Sequence, residues 1–75
     1  METYGELENS LYLLRATKKW SQQEVASRLG VSRQTIASIE ANKYNPSLIL
    51  GFKIAQLFEV DINEVFQYTK YEEEP

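Results

Sequence analysis

Two residues, Gly30 and Val31, separate one predicted helix from the start of the next. A capping serine precedes each helix: Ser21 stands before the first and Ser32 before the second, and each serine follows an apolar residue that can close on its helix. Gly30 falls where the first helix ends, a position that often needs a left-handed backbone. Because so short a turn fixes the crossing of two helices near a right angle, this spacing constrains the fold strongly.

Signals of the same kind recur along the chain and predict further helices. Pro46-Ser47 is typical of a helix start, and Val60-Asp61 indicates another. Upstream, leucines at helical spacing, among them Leu11 and Leu14, give one apolar face. Five helices are predicted, at residues 6–17, 22–29, 33–41, 48–58 and 62–66. The expected fold class is therefore all-α, with a helix-turn-helix at residues 22–41.

Residues 66–71 alternate, and aromatic or β-branched side chains dominate them, which is typical of a strand. A lone strand in a helical domain has no partner within its own chain, so one interpretation pairs this edge with its copy in a dimer. The other interpretation is a frayed tail whose tyrosines pack on the first helix. The sequence leaves both open.

The chain of 75 residues contains no cysteine and no histidine. Disulfides, thiolate or histidine metal sites and any nucleophile activated by histidine are therefore excluded. There is also no glycine-rich phosphate loop, so we expect neither an enzyme nor a cofactor. A monomeric core of this size supplies only about 3 to 5 kcal/mol of net stability, which makes a partner subunit plausible.

Neither a second domain nor a membrane segment is indicated. No apolar run approaches the roughly 18 to 20 residues of a membrane span, and Met1-Glu2-Thr3 lacks the basic start of a signal peptide. We expect one cytoplasmic domain over residues 1–75, with its core at 6–66 and an acidic tail at 72–75. No separate domain remains to hold a small-molecule effector.

The distribution of charge is more informative than its sum. The net charge is -3, yet residues 15–43 carry six basic and two acidic side chains, whereas the rest of the chain carries a net charge of -7. This segregation favours a basic surface for nucleic acid. The alternative is a salt-bridged surface on which like charges cluster by chance.

The outer face of the second helix of the motif carries hydrogen-bond donors and no acid. Arginine can bind guanine O6 and N7 with two hydrogen bonds, glutamine can do the same for adenine, and serine or threonine is permissive. The pattern predicts a helix suited to the major groove, whereas the alternative is an ordinary solvated face. The side chains concerned are Ser32, Arg33, Gln34, Thr35, Ser38, Asn42 and Lys43.

The segment QQEVASRLGVSRQTIASIEANKYNPS resembles the Cro and phage-repressor type of helix-turn-helix, also called the xenobiotic-response-element (XRE) family. The resemblance covers residues 11–66 and implies a five-helix, lambda-repressor-like domain whose third helix reads double-stranded DNA. It implies base contacts by Ser32, Arg33, Gln34 and Ser38, with Thr35 at the margin, and phosphate contacts by Ser21, Gln22, Asn42 and Lys43. It further implies an ion pair between Arg15 and Glu40, where the alternative is two separate surface charges.

Two departures from the family pattern stand out. Ala41-Asn42 replaces the common Asn-Gly after the reading helix, so the loop into Lys43 is expected to place its phosphate contact differently. Trp20 replaces a smaller aliphatic residue, and we interpret it as a core residue.

Small relatives of this length often dimerise through the last helix and a terminal strand. The resemblance thus implies a dimerisation segment at residues 62–71, with Ile62, Val65, Phe66 and Tyr68 at the interface. A homodimeric repressor would place two reading helices about 34 Å apart on a palindromic operator. The main alternative is a protein-interaction module such as an antitoxin or an anti-repressor.

Overall fold

A computed structural model describes residues 5–70 of the chain. Five helices lie between two short strands, which confirms the expected five-helix architecture. In chain order the elements are β1 (Gly5–Asn9), α1 (Leu11–Lys18), α2 (Gln22–Leu29), α3 (Arg33–Glu40), α4 (Leu48–Phe58), α5 (Ile62–Val65) and β2 (Phe66–Lys70).

The strand β1 corrects the first predicted helix, which was expected to begin at residue 6. β1 and β2 pair antiparallel, with Leu7 opposite Tyr68 and Asn9 opposite Phe66. Leu7 fits helical spacing, but residues 5–9 also alternate between half-buried and exposed positions, as a strand does. A strand partner at the other end of the chain decides between the two patterns.

The pairing of β2 also corrects both interpretations of residues 66–71. The strand has a partner within its own chain, so it is neither an edge that needs a second copy nor a frayed tail on α1. Residue 71 and the predicted acidic tail at 72–75 lie outside the described residues.

The turn between α2 and α3 is confirmed. Gly30 ends α2 with a left-handed φ of 75°, and the amide of Val31 donates to the carbonyl of Ala26 at 3.0 Å. The hydroxyl oxygens of Ser21 and Ser32 accept hydrogen bonds from the amides three residues further on, at 3.0 and 3.1 Å. These caps satisfy amides that have no partner inside the helix, and so fix where α2 and α3 begin.

The core is built from apolar side chains of all five helices. Val65, at 0% exposure, lies in this core, so the prediction that it contacts a second copy is wrong. Trp20 packs against the core with its ring centroid 5.5 Å from that of Phe58, as its interpretation as a core residue requires. The buried set is Leu11, Val25, Ala26, Leu29, Ile36, Ile39, Leu50, Ile54, Ala55, Phe58 and Val65.

Candidate nucleic-acid interface

The helix α3 has a buried face and a polar face. Ile36 and Ile39 are buried in the core, whereas Arg33 and Gln34 at the start of the helix are exposed to solvent. Ser38 is half-buried and accepts a 3.4 Å hydrogen bond from the side-chain amide of Gln34. The polar face of α3 thus presents one guanidinium and one amide beside a hydroxyl.

The first turn of α3 already uses two of the predicted base-contacting hydroxyls. Ser32 Oγ caps the amide of Thr35 and also shares a 2.9 Å hydrogen bond with Thr35 Oγ1. The two hydroxyls therefore hold each other and the helix start. Arg33 and Gln34, in the same turn, are exposed to solvent.

The ion pair between Arg15 and Glu40 joins α1 to the last residue of α3. Arg15 Nε and Nη2 donate to the two carboxylate oxygens at 2.7 and 3.1 Å, and Nη1 donates to the carbonyl of Trp20 at 3.0 Å. The side chains of Arg15 and Glu40 are only 14% and 9% exposed. Hydrogen bonds to Glu40 raise the pKa of Arg15 above its ordinary value, against the lowering effect of partial burial. The charge of Glu40 is thereby neutralised.

The side chain of Gln22 connects this ion pair to the start of α3. Gln22 Nε2 donates to Glu40 Oε1 at 3.0 Å, and Gln22 Oε1 accepts a 3.0 Å hydrogen bond from Arg33 Nη1. Successive hydrogen bonds thus join four side chains, in the order Arg15, Glu40, Gln22 and Arg33. We call this hydrogen-bonded series the polar chain. This polar chain holds the Arg33 guanidinium in place before any ligand binds.

The loop after α3 carries Asn42 and Lys43, both exposed. Asn42 has a left-handed φ of 60°, the conformation for which glycine is the usual residue, and asparagine tolerates it best among the others. The amide of Lys43 donates to the carbonyl of Ser38 at 2.9 Å. Asparagine therefore stands in for the glycine of the common Asn-Gly sequence and still turns the loop.

Asn9, at the end of β1, is a residue that the sequence analysis missed. Its side-chain Nδ2 donates to the carbonyl of Ile39 and to Asn42 Oδ1, each at 2.8 Å, while its Oδ1 accepts from the amide of Leu11 at 3.0 Å. Asn9 thus caps α1 and fastens the loop after α3. The signal was an asparagine inside a predicted helix, since asparagine competes with helical hydrogen bonding and favours caps.

The helix-turn-helix family model matches residues 11–65 of the chain, from α1 to α5. The chain belongs to the helix-turn-helix family of the Cro and phage-repressor type. Its helix-turn-helix motif consists of α2 and α3.

The relatives of the chain include proteins named as transcriptional regulators and proteins named as antitoxins. An uncharacterized HTH-type transcriptional regulator of Methanocaldococcus jannaschii is 50% identical over 62 residues, which cover 83% of this chain and 94% of that protein. The antitoxin HipB of Escherichia coli K12 is 35% identical over 57 residues, 76% of this chain and 65% of HipB. The crystal structure of the restriction-modification controller protein C.AhdI from Aeromonas hydrophila superimposes with a TM-score of 0.66 at 30% identity, covering 72% of this chain and 78% of that chain.

The residues that the sequence analysis expects to contact DNA lie on α3 and beside it. The structure places Arg33, Gln34 and Ser38 along the polar face of α3 and brings Ser32 and Thr35 together at its start. Gln22 lies beside Arg33, whereas Lys43 lies beyond the other end of α3. The predicted base contacts thus form one surface, and the predicted phosphate contacts flank it at both ends.

Arg28 is a basic residue of α2 whose side chain is engaged with other residues of the domain. Arg28 pairs with Glu24 at 2.7 Å and lies over the Trp20 ring at 4.1 Å.

No helix in the described part of the chain combines the length and the hydropathy needed to span a bilayer.

Proposed function

We propose that the protein is a homodimeric transcriptional repressor that binds an inverted repeat in double-stranded DNA through α3. The observation that carries the proposal is the polar chain from Arg15 to Arg33. It presents a guanidinium on the exposed start of the reading helix and neutralises the carboxylate of Glu40 at the end of the same helix.

In this proposal the polar face of α3 reads bases. Arg33 donates to O6 and N7 of a guanine, and Gln34 makes a two-pronged contact with an adenine. Ser38 adds a permissive contact one turn further along. Ser32 and Thr35 lie at the margin of the base contacts, because their hydroxyls already bond to each other.

Phosphate contacts would position α3 from both sides. The first turn of α2, at Ser21 and Gln22, presents helix N–H groups that suit an anion. Beyond the other end of α3, Asn42 and Lys43 form the second contact, with the lysine supplying the charge. Such contacts set register and affinity rather than sequence preference.

A dimer would bring two such surfaces to one operator. Half-sites one helical turn apart require reading helices about 34 Å apart on the same side of the assembly. A repressor of this kind needs only to occupy the operator, and the domain over residues 1–75 would suffice for that in the cytoplasm.

Selection of random duplexes on the purified protein tests the proposal. We expect an enriched inverted repeat, bound by two chains, with an affinity that falls as salt rises. Arg33→Ala should relax the preference at one guanine per half-site. Arg28→Ala is the matched control because it removes the same charge from a residue outside the reading surface. Failure to enrich any sequence would overturn the proposal.

A second candidate function is a protein-interaction module. The similarity to the antitoxin HipB supports it, because the name antitoxin implies action against a toxin. Unchanged control of the regulated promoter after replacement of both Arg33 and Gln34 would favour this candidate over the repressor.

A further inference from the structure

The helix α4 exposes an apolar face that the monomer leaves uncovered. Leu48 and Ile49 are 73% and 74% exposed, and Phe52, one turn further, is 48% exposed. We call these three residues the α4 face. A surface helix normally turns polar residues outward, and contiguous apolar patches on soluble proteins mark interaction sites.

A groove of about 120 Å³ adjoins the α4 face. It lies between β1, α4, α5 and the start of β2, and its lining includes Leu7, Leu48, Ile62 and Phe66. Its size is close to that of an apolar cavity of about 150 Å³ that holds one benzene ring, so it can receive one apolar side chain. Leu48 belongs to both the groove and the α4 face, which makes the two surfaces continuous.

The ribbon of β1 and β2 extends this apolar surface. Leu7 and Tyr68 are directly opposite each other in the register and therefore share one side of the ribbon, where Tyr68 remains 59% exposed. A two-stranded ribbon is only marginally stable by itself and gains stability when its apolar side is covered. The ribbon, the groove and the α4 face thus form one apolar surface. All three parts would be stabilised if a partner shielded this surface from solvent.

We infer that this surface is the contact between two copies of the chain, with the α4 faces packed together and an apolar side chain of each α4 entering the groove of the other copy. The inference rests on the proposed homodimer and relocates its interface. Val65 takes no part because it is buried in its own core, whereas Ile62, Phe66 and Tyr68 line or adjoin the groove.

Two features of this surface suit a second copy of the chain. An apolar face packed on itself across a two-fold axis is self-complementary without any pairing of charges. The exposed parts of Leu48, Ile49, Phe52 and Tyr68 also amount to on the order of 500 Å², more than half of the area of about 800 Å² that each partner gives to a standard interface.

Sedimentation of the full 75-residue chain over a range of concentrations tests the inference. Ile49→Glu would bury a carboxylate in each half of the contact, so we expect it to weaken the dimer by roughly 100-fold or more. Leu13→Glu is the matched control, since Leu13 is an apolar residue of α1 that is 64% exposed. Leu48→Glu is a second variant on the α4 face. Trp20 fluorescence reports that each variant is folded.

A dimer that Ile49→Glu and Leu48→Glu dissociate, and that Leu13→Glu leaves intact, is the expected result. A dimer that resists both α4 variants would overturn this interface and leave the homodimeric repressor standing. A wild-type chain that stays monomeric throughout, yet enriches a single half-site from random DNA, would overturn the second copy as the occupant while preserving sequence-specific binding. Loss of all sequence enrichment would instead count against the proposed function.

Discussion

The side-chain amide of Asn9 donates a 2.8 Å hydrogen bond to Oδ1 of Asn42. One residue belongs to the end of β1 and the other to the loop that follows α3. Because the same amide group also donates to the carbonyl of Ile39, the end of α3 is fastened to the strand ribbon. The loop that carries Lys43 therefore depends on a residue outside the helix-turn-helix motif.

Replacement of Asn9 should destabilise the fold and weaken DNA binding together. Asn9→Ala removes three hydrogen bonds, and we expect a loss of about 1 to 3 kcal/mol in the free energy of unfolding. Asn9→Asp keeps the acceptor for the Leu11 amide but faces two oxygens with a carboxylate, so it should be less stable than Asn9→Ala. Denaturant unfolding followed by Trp20 fluorescence measures both. An aspartate variant as stable as wild type would contradict the assigned contacts.

Replacement of Asn42 should separate backbone strain from side-chain bonding. Asn42→Gly relieves the left-handed backbone but loses the contact with Asn9, so we expect a net change within about 1 kcal/mol of wild type. Asn42→Ala loses the contact and keeps the strain, so it should be less stable than the glycine variant by about 1 kcal/mol. Thermal unfolding of the three proteins gives the order, and alanine equal to glycine would exclude a role for the φ of 60°.

The ion pair between Arg15 and Glu40 should show energetic coupling. A double-mutant cycle with Arg15→Gln and Glu40→Gln measures the coupling free energy of the pair from the free energies of unfolding. We expect a coupling of about 1.5 to 3 kcal/mol, because the pair is bidentate and little exposed. Arg15→Gln should weaken DNA binding more than Glu40→Gln, since it leaves an unpaired carboxylate near phosphate.

This coupling should not change with pH across the neutral range. The pKa of Arg15 is raised in the folded state, so its contribution is fully present below the ordinary arginine pKa and is lost only as pH rises beyond that value. A coupling that disappears between mildly acidic and mildly alkaline pH would show that another titrating group controls the contact.

Gln22 should act on sequence preference through Arg33. Gln22→Ala frees the guanidinium from its 3.0 Å contact, so the preference at the guanine that we propose for Arg33 should relax. Arg33→Ala should cost about 1 to 3 kcal/mol at the same base pair. Competition between the selected operator and variants of that base pair measures both effects. Gln23→Ala, on the same helix, is the control and should leave the preference unchanged.

Lys43 should contribute to affinity without contributing to preference. Lys43→Ala is expected to weaken operator and random DNA by the same factor and to lower the slope of log affinity against log salt by about 1. Lys53→Ala, which removes the same charge from α4, should leave the slope unchanged. A larger loss on the operator than on random DNA would place Lys43 among the base-reading residues.

The helices were predictable because their determinants are local. Ser21, Ser32 and Ser47 each cap the helix that follows them, and Gly30 ends α2 in the expected conformation. These signals depend on neighbours within one or two turns. The positions of α2, α3 and α4 therefore agreed with the sequence to within a residue.

The ribbon and the polar chain were harder to predict from the sequence because they depend on residues that are far apart along the chain. Leu7 fits a helix or a strand, and the choice is made by Tyr68 at the other end of the chain. The bridging position of Gln22 between Glu40 and Arg33 follows from the packing of α2 on α3, which spacing alone does not specify. Family resemblance named these residues but gave no contact between Gln22 and Arg33.

The pairing of Gly5 with Lys70 affects the order in which the parts of the molecule fold. Joining strands from opposite ends of the described chain closes a loop that contains all five helices, and closing a long loop has a large entropic cost before any contact rewards it. The two strands of the ribbon should thus pair after the helices have packed together during folding. During unfolding the strands should separate before the helices do. Its amide protons should exchange with solvent ahead of those in α2 and α3, through fraying that begins at the Gly5 end.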